Sequence, residues 1–207
     1  MRPLPVSVPF FSQWETPDMT LDVLAEGAAV ALRRDPAWKG SGAATLDEYV
    51  VWASHVCGMA CLKMILAARG ETIPTLELAR QCTRYGGYVV NEADQSIKGL
   101  IYAPLVTFVK EAFGLRAEVL TGIATSDIPD ILAEQRFFIA SVSAGIRWPE
   151  REPPGKGGHL VLVTLASDAF FRFHNPSGHT SATQENAELA PADFDRFFAN
   201  RGIAVAM

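Results

Sequence analysis

The chain has 207 residues, 49% of them hydrophobic and 20% charged, which is enough for one well-buried core and too few to require two domains. Eighteen basic against 23 acidic residues give a net charge of −5 with no basic run, which argues against a nucleic-acid backbone as partner. No stretch approaches the roughly 20 apolar residues that span a bilayer, and prolines at positions 3, 5 and 9 interrupt what could have been a signal-peptide core.

Residues 4–11 are short, apolar and proline-punctuated, as in an edge strand or extended arm, and they lead into Gln13-Trp14. Residues 20–34 and 45–53 read as helices, separated by the breakers Asp35-Pro36 and Lys39-Gly40-Ser41-Gly42. The whole of 14–53 is expected to be an insertion or cap on a single domain spanning 1–207. From Cys57 onward, Cys57, Ala60, Cys61, Met64, Ile65 and Ala68 fall on one helical stripe, which Gly70 ends. Helices over 76–85 and 104–113, a strand over 116–120, a helix over 126–135 capped by Ser126, and a strand over 137–143 follow. Residues 144–158 carry three prolines and four glycines and read as a mobile loop, placed to act as a lid beside His159. Strands over 159–165 and 170–175 form a hairpin about Ser167-Asp168, 191–200 a helix and 203–206 a closing strand. Helices lead and antiparallel strands follow, which is an α+β fold class.

Cys57 is the candidate nucleophile. A free thiol titrates near about 8.5, and a helix amino terminus or an adjacent imidazolium depresses it to roughly 3.5–7.5. Unpaired amides at a helix start, including that of Cys57 itself, are also available to an oxyanion. A buried thiol on an apolar stripe explains the same pattern by packing alone, and Cys61 and Cys82 are read that way. Cys57 and Cys61 stand one helical turn apart, so free thiols in a reducing, cytoplasmic setting are expected.

His159 is the candidate base and Asn175 the candidate orienting residue. A three-residue turn at positions 166–168 would set the two directly opposite each other, whereas a two-residue turn would send them to opposite faces. His174 alternates to the other face from Asn175, His55 would have to fold back against the helix start, and His179 lies in a Ser/Gly/Thr loop. Gln13 suits either a surface position or a donor to an oxyanion, and the residues around it favour the surface. No metal-ligand spacing and no nucleotide-binding glycine fingerprint occurs, so no cofactor is expected.

Taken together, Val8-Pro9-Phe10-Phe11-Ser12-Gln13-Trp14, Cys57-Gly58-Met59-Ala60, Gly99-Leu100, Phe113-Gly114-Leu115 and Gly158-His159-Leu160-Val161-Leu162-Val163 leading to Asn175-Pro176 resemble the bacteriocin-processing, double-glycine leader cysteine peptidases and their papain-like relatives. The resemblance implies a papain-like fold with a Cys-bearing helix packed on an antiparallel sheet carrying His and Asn. It implies Cys57 as nucleophile, His159 as base and later acid, Asn175 as orienting residue and Gln13 as oxyanion-hole donor. It also implies a peptide or protein substrate, with small residues before the scissile bond. Two departures stand out: the family's usual aspartate is Asn175 here, and Gln13 lies much further before the cysteine than in those peptidases. Peptide hydrolysis through a thioester is the expected activity. Acyl transfer to an amine or thiol, and a peptide-binding module without turnover, are the alternatives.

Overall fold

The computed structural model describes residues 7–206 apart from 92, 94 and 95. Of the expected arm, residues 4–6 lie outside the described residues, and residues 7–12 run without strand pairing.

Helices come first. They are α1 (Thr20–Glu26), α2 (Ala28–Ala31), α3 (Leu46–Trp52), α4 (Cys57–Ala67), α5 (Thr75–Arg84) and α6 (Tyr102–Phe113). The expected single helix over 20–34 is instead α1 and α2, broken at Gly27, and then a 3-10 turn. Residues 14–53 do not stand apart from the core: Trp14, Met19, Leu32, Tyr49 and Val50 are buried in the same cluster as α4. Asp35 ties this segment together, accepting from the Thr16 amide (3.2 Å), the Thr16 hydroxyl (2.6 Å), the Ala37 amide (2.9 Å) and the Tyr49 hydroxyl.

The second half supplies β1 (Arg116–Thr121), α7 (Ile128–Gln135), β2 (Phe137–Ser143), β3 (Gly158–Ala166), β4 (Phe171–His174), α8 (Ser181–Gln184), β5 (Ala187–Leu189), α9 (Pro191–Phe197) and β6 (Phe198–Ala206). The six strands form one antiparallel sheet in the order β1-β6-β2-β3-β4-β5. Both faces are covered. Phe137, Ile139, Leu160, Leu162, Ile203 and Val205 pack toward α4, α5 and α6, while Phe138, Ala140, Val142, Val161, Val163 and Ala204 pack with Phe194 and Phe197 of α9. That two-sided burial is why β2 is buried at every position and opens with the unbroken apolar run Phe137-Phe138-Ile139-Ala140.

Three expected boundaries move. Ser126 does not cap α7; it lies in a 3-10 turn in which the Asp127 side chain accepts from the Ala124 amide (2.7 Å). The helix expected over 191–200 stops at Phe197, and β6 takes Phe198 onward. Asn200 has φ 54°, a left-handed conformation no right-handed helix accommodates, and Phe198 pairs with Val142 of β2. The third, the β3–β4 hairpin, bears directly on the site.

Gly202 is the tightest point of the sheet. A Cβ there would lie 2.4 Å from the Ile139 carbonyl oxygen and 2.5 Å from the Phe138 ring. Gly202→Ala is therefore expected to destabilise the protein by about 1–3 kcal/mol, as overpacked sites do, in urea unfolding. An unchanged midpoint would contradict this packing.

Candidate active site

Cys57 is the first residue of α4, one residue after a 3-10 turn at Ala53–His55. What lets this end of α4 sit against the sheet is Gly58, where a Cβ would fall 2.4 Å from Leu100 and 2.9 Å from Leu160. One turn on, the Cys61 thiol meets the Leu160 carbonyl at 3.8 Å. The amide of Leu160 reaches the Cys57 sulfur, so β3 contacts the thiol through the residue next to His159. Cys57 and His159 line one cavity of about 300 Å³, together with Ser54, His55, Gly99, Leu100, Tyr102, Gly158, Leu160 and Arg201.

Gly157 and Gly158 carry the chain into β3 at φ 92° and 89°, left-handed values that favour glycine. The hairpin that follows has neither turn length foreseen from sequence. A four-residue connection joins Ala166 to Phe171, which by itself would send His159 and Asn175 to opposite faces. A register shift between Val163 and Leu165 then realigns the strands so that Val163 faces Phe173 and Leu162 faces His174. The bulge restores the shared face. Asn175, just past the end of β4, reaches His159 diagonally, with Oδ1 2.8 Å from Nε2.

The orientation of that amide is set by the backbone. The Ser177 N–H can only donate, and it lies 3.2 Å from Asn175 Oδ1. Oδ1 is thus an acceptor for both groups, so His159 Nε2 must carry a hydrogen, and in the neutral ring Nδ1 holds the lone pair. Asn175 is fully buried and His159 is 4% exposed.

Gln13 is buried, not on the surface. Its amide nitrogen donates to the carbonyl of Pro176 (2.8 Å), and its side-chain Nε2 donates to the carbonyl of Ala53 (3.1 Å). These bonds bring Gln13 between the residue after Asn175 and the turn before Cys57. It is not among the residues lining the cavity. Among the described residues, Gln13 Oε1 and Asn175 Nδ2 are buried without partners. Each such atom costs about 1–3 kcal/mol, so stability alone does not account for these two amides.

Two residues that sequence reasoning passed over complete the arrangement. Ser177 Oγ lies 3.1 Å from His159 Nε2, and Arg147 donates to it from Nε (3.0 Å) and Nη2 (2.7 Å), with Nε also reaching the Ser177 carbonyl (2.7 Å). Arg147 ends a 3-10 turn, Ala144–Arg147, that opens the segment expected to be only loop. Asn-Pro-Ser-Gly reads as a plain turn in sequence. Its place two residues after a site asparagine is the one signal that could have singled out Ser177.

The other histidines and thiols separate cleanly. His174 is fixed by the Val8 carbonyl (3.0 Å) and the Asn186 amide (3.0 Å), and His179 stacks near Trp148. His55 lines the cavity. All three cysteines are free; Cys61 and Cys82 are buried, and burial pushes the Cys82 thiol up to about 12.

The helix start does not dominate the charge of Cys57, contrary to the expectation from sequence. Burial pushes the thiol up, opposed by the amides of Leu160, Gly58 and Cys57 itself and by the positive charge of Arg147. Burial, reinforced by Arg147, pulls His159 down to about 3, against the bond to Asn175. Both shifts favour the uncharged forms, a thiol and an imidazole lining one cavity.

The family model described as the Peptidase_C39 like family matches residues 7–201. The chain belongs to that family. No curated protein matches the chain. Among solved structures, the peptidase domain of Streptococcus ComA, a bi-functional ABC transporter involved in a quorum sensing pathway, aligns with TM-score 0.51 and 16% identity over 74% of this chain and 92% of its own. A C39-like protein from Bacillus anthracis gives TM-score 0.52 and 16% identity over 74% and 89%. A double glycine motif protease from an AMS/PCAT transporter, in complex with the leader peptide, gives TM-score 0.48 and 15% identity over 72% and 82%. The likenesses to the ComA domain and the Bacillus anthracis protein establish the C39-type fold: amino-terminal helices with Cys57 on an antiparallel sheet with His159 and Asn175. Among the described residues no single helix is long and apolar enough to cross a membrane.

The depressed His159 makes stability depend on pH. Unfolded, the ring titrates near 6.5, so between that value and about 3 the unfolded chain binds a proton that the folded chain does not. Folding stability therefore falls as pH drops through this window, by up to about 1.4 kcal/mol per unit from this one group. His55 and His174, also pulled down by burial, add in the same direction. In His159→Gln the slope of unfolding free energy between pH 6.5 and 4 is expected to be shallower than in wild type. Parallel slopes would contradict a buried neutral His159.

Proposed function

We propose that this chain is a cysteine peptidase in which Cys57 is the nucleophile, His159 the general base and acid, and Asn175 the residue that orients the imidazole. The observation that carries this reading is the His159 ring itself. Its Nε2–H is committed to Asn175, and it shares a cavity with Cys57, so Nδ1 is the nitrogen left to take the thiol proton. Membership of the Peptidase_C39 like family supports the same reading.

With both partners neutral at rest, proton transfer accompanies attack. The thiol proton passes to His159 Nδ1 as sulfur bonds to the peptide carbonyl carbon and the carbonyl oxygen takes the negative charge. His159 then protonates the leaving amine as the C–N bond breaks, leaving a thioester on Cys57. A water molecule, deprotonated by Nδ1, attacks the thioester, and the proton returns to sulfur as the acid leaves. Donors for the oxyanion are backbone amides at the start of α4 and the second Nε2 hydrogen of Gln13, the first being held by Ala53.

The raised thiol is the observation that favours the alternative, a peptide-binding module without turnover. Hydrolysis of a quenched-fluorescent peptide library separates the two. The peptidase reading expects cleavage by wild type and none by Cys57→Ala; persistent cleavage by Cys57→Ala, or none by either protein, overturns it. Gln13→Ala is expected to lower kcat by about 10²–10³, equivalent to about 2.7–4 kcal/mol of barrier, with KM little changed. An unchanged kcat would remove Gln13 from the oxyanion hole while leaving the Cys57–His159 pair in place.

A further inference from the structure

Arg147 is a half-buried cation that makes no ion pair among the described residues. Desolvating a guanidinium is expensive, and fold stability gains little when a neutral donor could satisfy the same acceptors. Yet two of its three guanidinium nitrogens, Nε and Nη2, donate to one fully buried residue, Ser177, at 2.7, 3.0 and 2.7 Å. The planar fork fixes Ser177 at its carbonyl and its hydroxyl together. The amide of that same serine then points at Asn175 Oδ1, the contact that decides which way the asparagine faces. A reversed asparagine would present Nδ2 to His159 and demand the opposite tautomer, with the lone pair on Nε2 and the hydrogen on Nδ1.

We infer that Arg147 and Ser177 are positioning residues, which through Asn175 hold His159 with its hydrogen on Nε2 and its basic Nδ1 free for Cys57. This rests on the reading of Cys57 and His159 as nucleophile and base. It adds a chain of contacts, Arg147 to Ser177 to Asn175 to His159, linking the turn after β2 to the base. It also assigns Arg147 a second effect by charge. Its field bears on both reacting groups, favouring the thiolate on Cys57 and disfavouring the imidazolium on His159. Among the described residues, the other titratable or charged groups around the thiol are Cys61 of α4, Tyr88 after α5, His55 before α4, Tyr102 of α6 and Arg201 of β6.

Two readouts test this in the full chain without peptide turnover. Nitrogen-15 NMR of labelled imidazoles near pH 7 shows which ring nitrogen carries hydrogen, and iodoacetamide alkylation against pH gives the Cys57 titration midpoint. Wild type is expected to show His159 as a single Nε2–H tautomer. Ser177→Ala and Arg147→Met are expected to show a mixture of tautomers, and Arg147→Met to move the alkylation midpoint upward by about one unit. Arg147→Lys, which keeps the charge but loses the fork, should restore the midpoint and not the single tautomer. Thermal unfolding confirms that each variant is folded; Ser177→Ala, which deletes one oxygen, carries the test if Arg147→Met does not fold. A folded Ser177→Ala that keeps the pure wild-type tautomer overturns the inference. Because neither readout involves hydrolysis, that failure is distinct from a failure of the peptidase reading, which shows as absent or Cys57-independent cleavage.

Discussion

Everything at the site depends on how closely the first turn of α4 approaches β3. Gly58 leaves no side chain between the helix and the Leu100 and Leu160 side chains, and the backbone at Leu160 then meets both cysteines of α4, its amide at Cys57 and its carbonyl at Cys61. A methyl group added there would collide with the ends of the Leu100 and Leu160 side chains, which would have to move out of the contact between α4 and β3. The rest of the fold serves that contact. Apolar layers on both faces hold the sheet rigid, and residues 14–53 bury Trp14, Leu32 and Tyr49 against the same core that backs α4.

The same closeness sets the electrostatics. A helix amino terminus favours a thiolate, but burial outweighs it here, so the thiol is raised and the imidazole depressed. Both shifts favour the uncharged forms of the two groups, and the positive charge of Arg147 bears on both. Asn175 fits that scheme. An aspartate in its place would add a buried negative charge next to Arg147 and draw His159 toward the imidazolium, whereas the amide orients the ring without changing its charge.

The parts of this that a sequence displays are local. The stripe from Cys57 to Ala68 gave the helix, the apolar run 137–143 gave the central strand, and the order of elements gave the α+β class, because each is written in neighbouring residues. What sequence did not display is what distant segments impose. The bulge near Thr164 comes from β3 having to meet β4 after a four-residue connection, and no residue type announces it. Phe198 joins a strand because Val142 is there to pair with it. Ser177 and Arg147 are separated by 30 positions and meet only once the sheet has formed. Gln13 reads as a surface residue in sequence, and long-range bonds to Pro176 and Ala53 bury it.

The claim at the centre of this account is that Cys57 is a nucleophile made reactive by His159. Intact-protein mass spectrometry after exposure to a peptidyl chloromethyl ketone addresses it directly. The account predicts one adduct per chain, on Cys57 and not on buried Cys61 or Cys82, forming far more slowly in His159→Ala. No adduct on Cys57, or one that forms at the same rate without His159, would contradict it.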